Sequence, residues 1–230
     1  MKEKGDRASR PVPLSRARIL SAALRRADKG GVESLSMRKL AEALGVRAMS
    51  LYNHVANKDE ILDGIVDLVI GEIELPDIHA HWKEAMRRRA ASAHDVLLRH
   101  PWSTVALVSR VNAGPAMLRY VDATIGCLRE AGFSYEIADH AWNAMDSHIY
   151  GYTLQELHFA FKPPQYSKAA RDYLALIPVQ DYPYFSELAR LVIEKRHSGV
   201  HDLAFGLELI LDGLEKHLRV DAVPGPPRTD

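Results

Sequence analysis

Residues 36–62 read SMRKLAEALGVRAMSLYNHVANKDEIL, and their spacing of caps, apolar positions and one glycine decides the fold. The Ser36 hydroxyl can accept a hydrogen bond from a first-turn backbone amide, which predicts a helix over 37–44. Gly45 follows the last apolar residue, Leu44, where the left-handed backbone is nearly free of cost only for glycine. A second short helix is predicted over about 47–54. Asn57, with Glu60 three residues later, has the pattern of a capping box and opens a longer helix. Leu40, Leu44, Val46, Leu51 and Val55 can bury an inner face, and Ala41 is small enough for the approach of the two short helices. Arg47, Ser50, Asn53 and His54 remain outside. Two short helices around a glycine turn form the arrangement whose second helix enters the major groove of DNA. A plain helical hairpin is the alternative that spacing alone leaves open.

Outward from this stretch the helical period continues. Ser15 is placed to cap a first helix with Ile19, Leu20, Ala23 and Leu24 on one face, ended by Gly30 and Gly31. The helix after Asn57 carries Ile61, Leu62, Ile65, Val66, Leu68 and Val69 and is expected to run to about Leu75, next to Pro76. Further helices are expected near 79–99, 115–131, 134–161, 184–197 and 201–219, punctuated by prolines. No sustained apolar/polar alternation suggests strands, so the fold class is all-α. Residues 1–13 read as a flexible basic tail and 221–230 as a flexible tail. Between them we expect a helix-turn-helix domain over 14–60 and a larger helical domain over 61–220, joined by the helix that starts near Lys58.

Of the 230 residues, 47% are hydrophobic and 26% charged, as in an ordinary globular protein. Cys127 is the single cysteine, which excludes an intramolecular disulfide and a Cys-rich zinc site. No apolar run approaches the roughly 18 residues of a membrane span, and the first residues lack the apolar stretch of a signal peptide, so a cytoplasmic protein without a membrane partner is expected. Lys plus Arg and Asp plus Glu number 30 each, yet residues 1–60 hold 13 and 7 of them against 17 and 23 in the remainder. A basic module attached to an acidic body suits a small phosphate-backbone reader. A non-specific DNA-binding protein would instead carry a basic stripe over its whole length. An enzyme using a pocket in the body is the other alternative, but there is no Gly-rich phosphate loop, His-Glu-x-x-His run or Gly-x-Ser-x-Gly elbow.

Residues 14–70 resemble the DNA-binding domain of the tetracycline-repressor (TetR) family. SRARILSAALRRADKGGVESLSMRKLAEALGV, followed by SLYNHVANKDEIL, has the family's capped second helix, Leu-Gly-Val turn, Leu-Tyr-x-His-Val recognition helix and Asn-Lys opening of the fourth helix. LAFGLELILDGLEKHL is similar to the closing dimer helix of the tetracycline-repressor branch, and EAGFSYEIADHAW to the start of its eighth helix. The resemblance implies a homodimeric repressor on a palindromic double-stranded operator, released by a small-molecule effector. It further implies base contacts from Arg38, Arg47, Ala48 and Met49 and backbone contacts from Ser36, Ser50, Tyr52, His54 and Lys58, with Asn53 also on the DNA face. Asn53 stands where that branch has an aromatic residue, and Met49 where it has proline, so the operator sequence does not transfer.

The same resemblance places a ligand pocket and a dimer bundle in the body. Pocket candidates on presumed inward faces are Trp82, Met86, Arg89, Arg110, Met117, Trp142, Met145, Ser147, His148 and Glu156; each could equally be plain core. In the closing helix Leu203, Leu207, Ile210, Leu211 and Leu214 give an apolar face, with Gly206 and Gly213 permitting close approach. Glu156 lies eight residues after His148, a spacing shared with the branch whose glutamate helps hold a drug-bound magnesium. Its metal histidine is replaced near Arg110 and its drug-binding asparagine near Arg89. No cofactor and no metal are therefore expected, His79 and His81 are read as surface residues, and the effector as mainly apolar or aromatic.

Overall fold

In the computed structural model, residues 13–160, 165–174, 176–199 and 201–220 are described, and all their regular structure is helical. Most of the two expected tails lies outside these residues. The chain divides into two compact units, one formed within residues 1–72 and 99–120 and the other within 73–98 and 121–230.

In the first unit, α1 (Arg16–Gly30) starts where the Ser15 hydroxyl accepts from the Arg18 amide at 3.3 Å. A 3-10 turn over Val32–Ser34 leads to α2 (Met37–Leu44), which Ser36 caps by accepting from the Lys39 amide at 3.2 Å. Gly45 takes φ 69°, and the Val46 amide returns to the Ala41 carbonyl at 3.0 Å, closing the turn. Helix α3 is only Ala48–Leu51, shorter than the expected 47–54. Past Leu51 the His54 amide bonds back three residues to Leu51, tightening the chain, and Asn57 must reach φ −161° to cap the next helix. The residues between stay in a turn.

Helix α4 (Lys58–Ile70) packs on α1, and Gly64 permits the approach: a Cβ there would sit 2.7 Å from Leu20 Cδ2. Ile19, Leu20, Ala23, Leu40, Ala41, Leu51, Val55, Ile61 and Ile65 make one buried core. Leu68 faces outward instead, and the helix ends at Ile70 rather than near Leu75. The Glu72 amide bonds back to Val69 at 3.1 Å in a tight last turn, and Pro76 disfavours helical backbone at Leu75. Helix α6 (Ser103–Val108), not anticipated, and the start of α7 (Pro115–Glu130) complete the unit.

The second unit holds α5 (Trp82–Arg99) to Leu98, the rest of α7, α8 (Tyr135–His158), the unanticipated α9 (Tyr166–Leu174), α10 (Pro183–Ile193) and α11 (Leu203–Val220). Trp82 meets Phe133 edge-on at 5.0 Å. Helix α11 packs on α8, and Gly206 is required there, since a Cβ would fall 2.3 Å from the His148 ring. Leu207 and Leu211 are buried within the protomer, whereas Phe205 and Leu209 are the large apolar residues exposed among the described side chains of α11. Cys127 is buried, and burial pushes its thiol up from the ordinary range.

Ion pairs join α5 to α11. Arg87 grips Glu208 through two bonds of 2.6 and 2.8 Å, and Lys83 Nζ reaches Asp212 at 2.7 Å and Glu215 at 3.0 Å. The hydrogen bond from Arg87 holds the Glu208 carboxyl below its ordinary range, and that from Lys83 does the same for Asp212. A depressed folded-state carboxylate contributes stability above the unfolded value and loses it as pH falls through the folded one. Stability is therefore expected to decline on acidification below about pH 4, and Glu208→Gln with Asp212→Asn should flatten that decline in urea titrations taken at a series of pH values. In the first unit, Leu51→Ala should cost about 2–5 kcal/mol and the exposed Met49→Ala less than about 0.5 kcal/mol, measured by urea unfolding.

Candidate functional site

The face outside the first core gathers most of the polar residues singled out around the glycine turn. Arg47 is exposed at the N-cap of α3 and makes no side-chain cap bond. Met49 is 74% exposed and Tyr52 48%, although both are large apolar or amphipathic side chains. Asn53, Arg38 and Lys58 are exposed, while Ser50 and His54 are half-buried. Ala48 packs against the core edge, and the Ser36 hydroxyl serves as the α2 cap. Arg38 lies 3.9 Å from Glu42 across one helical turn, a loose surface pair.

Lys58 stands on a firmly built helix start. Asn57 Oδ1 accepts from the Glu60 amide at 2.8 Å, and Glu60 Oε2 accepts from the Ala56 amide at 2.6 Å. That backbone bond, with the Arg16 guanidinium 3.2 Å from Oε1, holds the Glu60 carboxyl below its usual range. Chemically, the face offers arginine forks that match the O6/N7 edge of guanine, a thioether that suits a thymine methyl, and hydroxyl and ammonium groups for phosphates.

Two pocket candidates belong to this first unit. Arg110 is bound to α4, with Nε 2.7 Å from Asp63 Oδ1 and a second nitrogen 3.4 Å from Asp59. The amides of Ala116 and Met117 donate to Asp67 Oδ1 at 2.9 and 3.0 Å, so a carboxylate of α4 caps α7. Gly114 makes room for it: a Cβ would lie 2.2 Å from that oxygen.

The other eight candidates lie in the second unit. Trp82, Met86 and Met145 are buried. Arg89, fully buried on α5, reaches Asp146 Oδ1 at 2.9 Å and Thr124 at 3.4 Å. Asp146 Oδ2 also accepts from Trp142 Nε1 at 2.7 Å and from the Tyr150 hydroxyl at 3.0 Å. Asp146 is thus the node of an internal polar network that the sequence reading missed. Its signal was a carboxylate four residues after Trp142 and four before Tyr150, hence on one helical face. His148 Nε2–H donates to the Leu203 carbonyl at 2.8 Å. With Ser147, it lines a cavity of about 600 Å³ between α8 and the start of α11, bordered also by Tyr152, Gln155, His201 and Phe205. Glu156 is exposed, 3.1 Å from His94. His79 and His81 are exposed, and among the described residues no group of three possible ligands is placed to hold a metal ion. No helix among them is long and apolar enough to cross a membrane.

Removing one member of a buried ion pair strands the other charge. Arg89→Met and Asp146→Asn are each expected to cost about 3–5 kcal/mol, and the double variant less than the sum, in urea unfolding followed by tryptophan fluorescence.

Comparison with known proteins covers both units. Residues 19–65 match the family model described as bacterial regulatory proteins, tetR family, and residues 75–218 the tetracyclin repressor-like C-terminal domain. An HTH-type transcriptional regulator of Saccharopolyspora erythraea is 37% identical over 148 residues, 64% of this chain and 63% of that protein, so the match spans just under two thirds of its length. The HTH-type transcriptional repressor DrrR1 of Streptomyces coeruleorubidus is 30% identical over 225 residues, covering 93% of this chain and 82% of that one. Among solved structures, Streptomyces coelicolor ActR in complex with actinorhodin superposes with a TM-score of 0.76 at 28% identity, over 89% of this chain and 98% of ActR.

Proposed function

The chain belongs to the TetR family of DNA-binding transcriptional regulators, and from that membership we propose that it is a homodimeric repressor of a palindromic operator, released by a small apolar or aromatic effector. The observation that carries the reading is the exposed trio of Arg47, Met49 and Tyr52, on and at the two caps of a short helix whose Leu51 is wholly buried. Folding of the single chain gives no reason to leave Met49 in water; a thymine methyl does. Arg47 and Arg38 read bases, Met49 and Ala48 line the groove, Ser36, Ser50, Tyr52, His54 and Lys58 hold the backbone, and Asn53 faces the DNA beside them. Lys58 sits at a helix start, where free amides also favour an anion.

Dimerisation through α8 and α11 is supported by what α11 exposes. Phe205 and Leu209, 69% and 62% exposed, are the residues left for a partner, since Leu207 and Leu211 serve the protomer's own core. Self-complementary helices of this kind suit an isologous contact. The effector reading rests on the second unit, where Trp82, Met86 and Met145 are buried together with the Arg89–Asp146 ion pair, and on ActR, whose structure holds actinorhodin. Ser147, His148 and Glu156 supply polar groups at its accessible edge.

Selection of genomic and randomised duplexes by the purified chain tests the DNA assignment. Arg47→Ala should relax base preference and lose about 1–3 kcal/mol on the best site, whereas Lys58→Ala should weaken all sequences alike and reduce the salt slope by about 1. The reverse pattern would overturn it. Leu209→Glu with Phe205→Glu should give monomers in sedimentation and lose specific retention; a monomer with unchanged affinity for the selected duplex excludes the dimeric reading. Screening aromatic compounds for duplex release, with and without chelator, tests the effector class, and a strict metal requirement in every active compound would refute it.

A further inference from the structure

Helices α1 and α4 each finish with a carboxylate at the unfavourable pole. Asp28 lies in the last turn of α1 and Glu72 two residues past the end of α4, where the partial negative charge of a helix C-terminus disfavours an anion. Arg99 and His100 meet both. Arg99 Nη2 donates to Glu72 Oε2 at 2.6 Å. His100 is 7% exposed, with Nδ1 2.7 Å from Asp28 Oδ1 and Nε2 3.4 Å from the Glu72 carboxylate. Trp102 Nε1 donates to the same Asp28 oxygen at 2.8 Å, and its ring packs on the core beneath the recognition helix.

Ionised carboxylates only accept hydrogen bonds, so an imidazole with one on each nitrogen satisfies both only when both nitrogens carry protons. The charged groups closing on the ring are Asp28 from α1, Glu72 from the segment after α4 and Arg99 from its own segment. With an imidazolium they balance; with a neutral ring one negative charge is left over. On deprotonation the shorter bond to Asp28 keeps the Nδ1 proton. The Nε2 proton leaves to water, and the exposed lone pair then faces the Glu72 carboxylate.

We propose that His100 is a positioning residue for DNA recognition: as an imidazolium it ties the end of α4 to the end of α1, and loss of its proton releases the Glu72 side. The module presenting Arg47 and Met49 is framed by those two helices, so its geometry, and with it specific DNA affinity, becomes pH-dependent. The consequence for DNA rests on the function proposed above; the contact itself does not.

The test follows the full-length chain across about pH 5 to 8 by three readouts: ring resonances of His100, amide exchange of residues 66–72 corrected for intrinsic rates, and affinity for the selected duplex and a random one. In the wild type, exchange protection and selected-duplex affinity should fall together, by at least about fivefold, as the ring loses its proton. His100→Gln should hold the loosened values throughout. Glu72→Gln should hold the tight values throughout, because a side-chain amide can donate to the neutral Nε2, and it carries the test should His100→Gln fail to fold. A protection step that tracks the ring titration while no duplex is ever preferred supports the clamp and refutes the DNA reading. Protection that ignores the ring titration, or a step that persists in Glu72→Gln, overturns the proposal.

Discussion

A helix of four residues has no stability of its own. Nucleating a first turn is unfavourable in water, and one turn of propagation cannot offset it. Helix α3 exists because Leu51 is driven wholly out of solvent into the α1–α4 cradle and because the chain on either side is pinned, by the Gly45 turn before it and by the doubly capped start of α4 after it. The outward residues of α3 and its caps, Arg47, Met49 and Tyr52, are therefore oriented by one inward leucine and two turns.

The second unit uses a different device. Its interior is mixed, with Arg89 and Asp146 buried among methionines and aromatics. An apolar replacement of that pair would pack as well or better, so its value is in specifying how α5, α7 and α8 meet rather than in stability alone. The Arg89 contacts to Asp146 and Thr124 restrict the angles these helices can take, and the bonds from Trp142 and Tyr150 hold the Asp146 carboxylate in place along α8.

Much of the fold was legible because helix starts and stops have local causes. Ser15, Ser36 and Asn57 cap where their side chains predicted, and Gly45 turns where it must. An end inside a continuing apolar run was not legible. Helix α4 stops at Ile70, where the Glu72 amide turns back onto Val69 ahead of Pro76, and the pattern of apolar residues onward to Leu75 gives no hint of that turn. Helices α6 and α9 lie among prolines and polar residues whose period is too short to register. For the candidate sites, the exposure of Arg47, Met49 and Tyr52 around α3 follows from their positions beside the inward Leu51. Arg110 and Arg89 could not, because their carboxylate partners are distant in sequence, and only the fold shows that both are already engaged. Leu207 and Phe205 make the same point. Their spacing admits either as the outward face of α11, and burial against α8 chooses between them.

The buried thiol of Cys127 has a practical side. A sulfhydryl whose ionisation is suppressed by burial offers little thiolate to alkylating or oxidising reagents. Slow reaction of the native chain with maleimides and nitroxide reagents is therefore expected. A single cysteine introduced on the exposed surface would be labelled alone, without removal of the native one from the core. An environment-sensitive probe could then be attached beside α3 of an otherwise unaltered sequence, and its surroundings followed directly in solution.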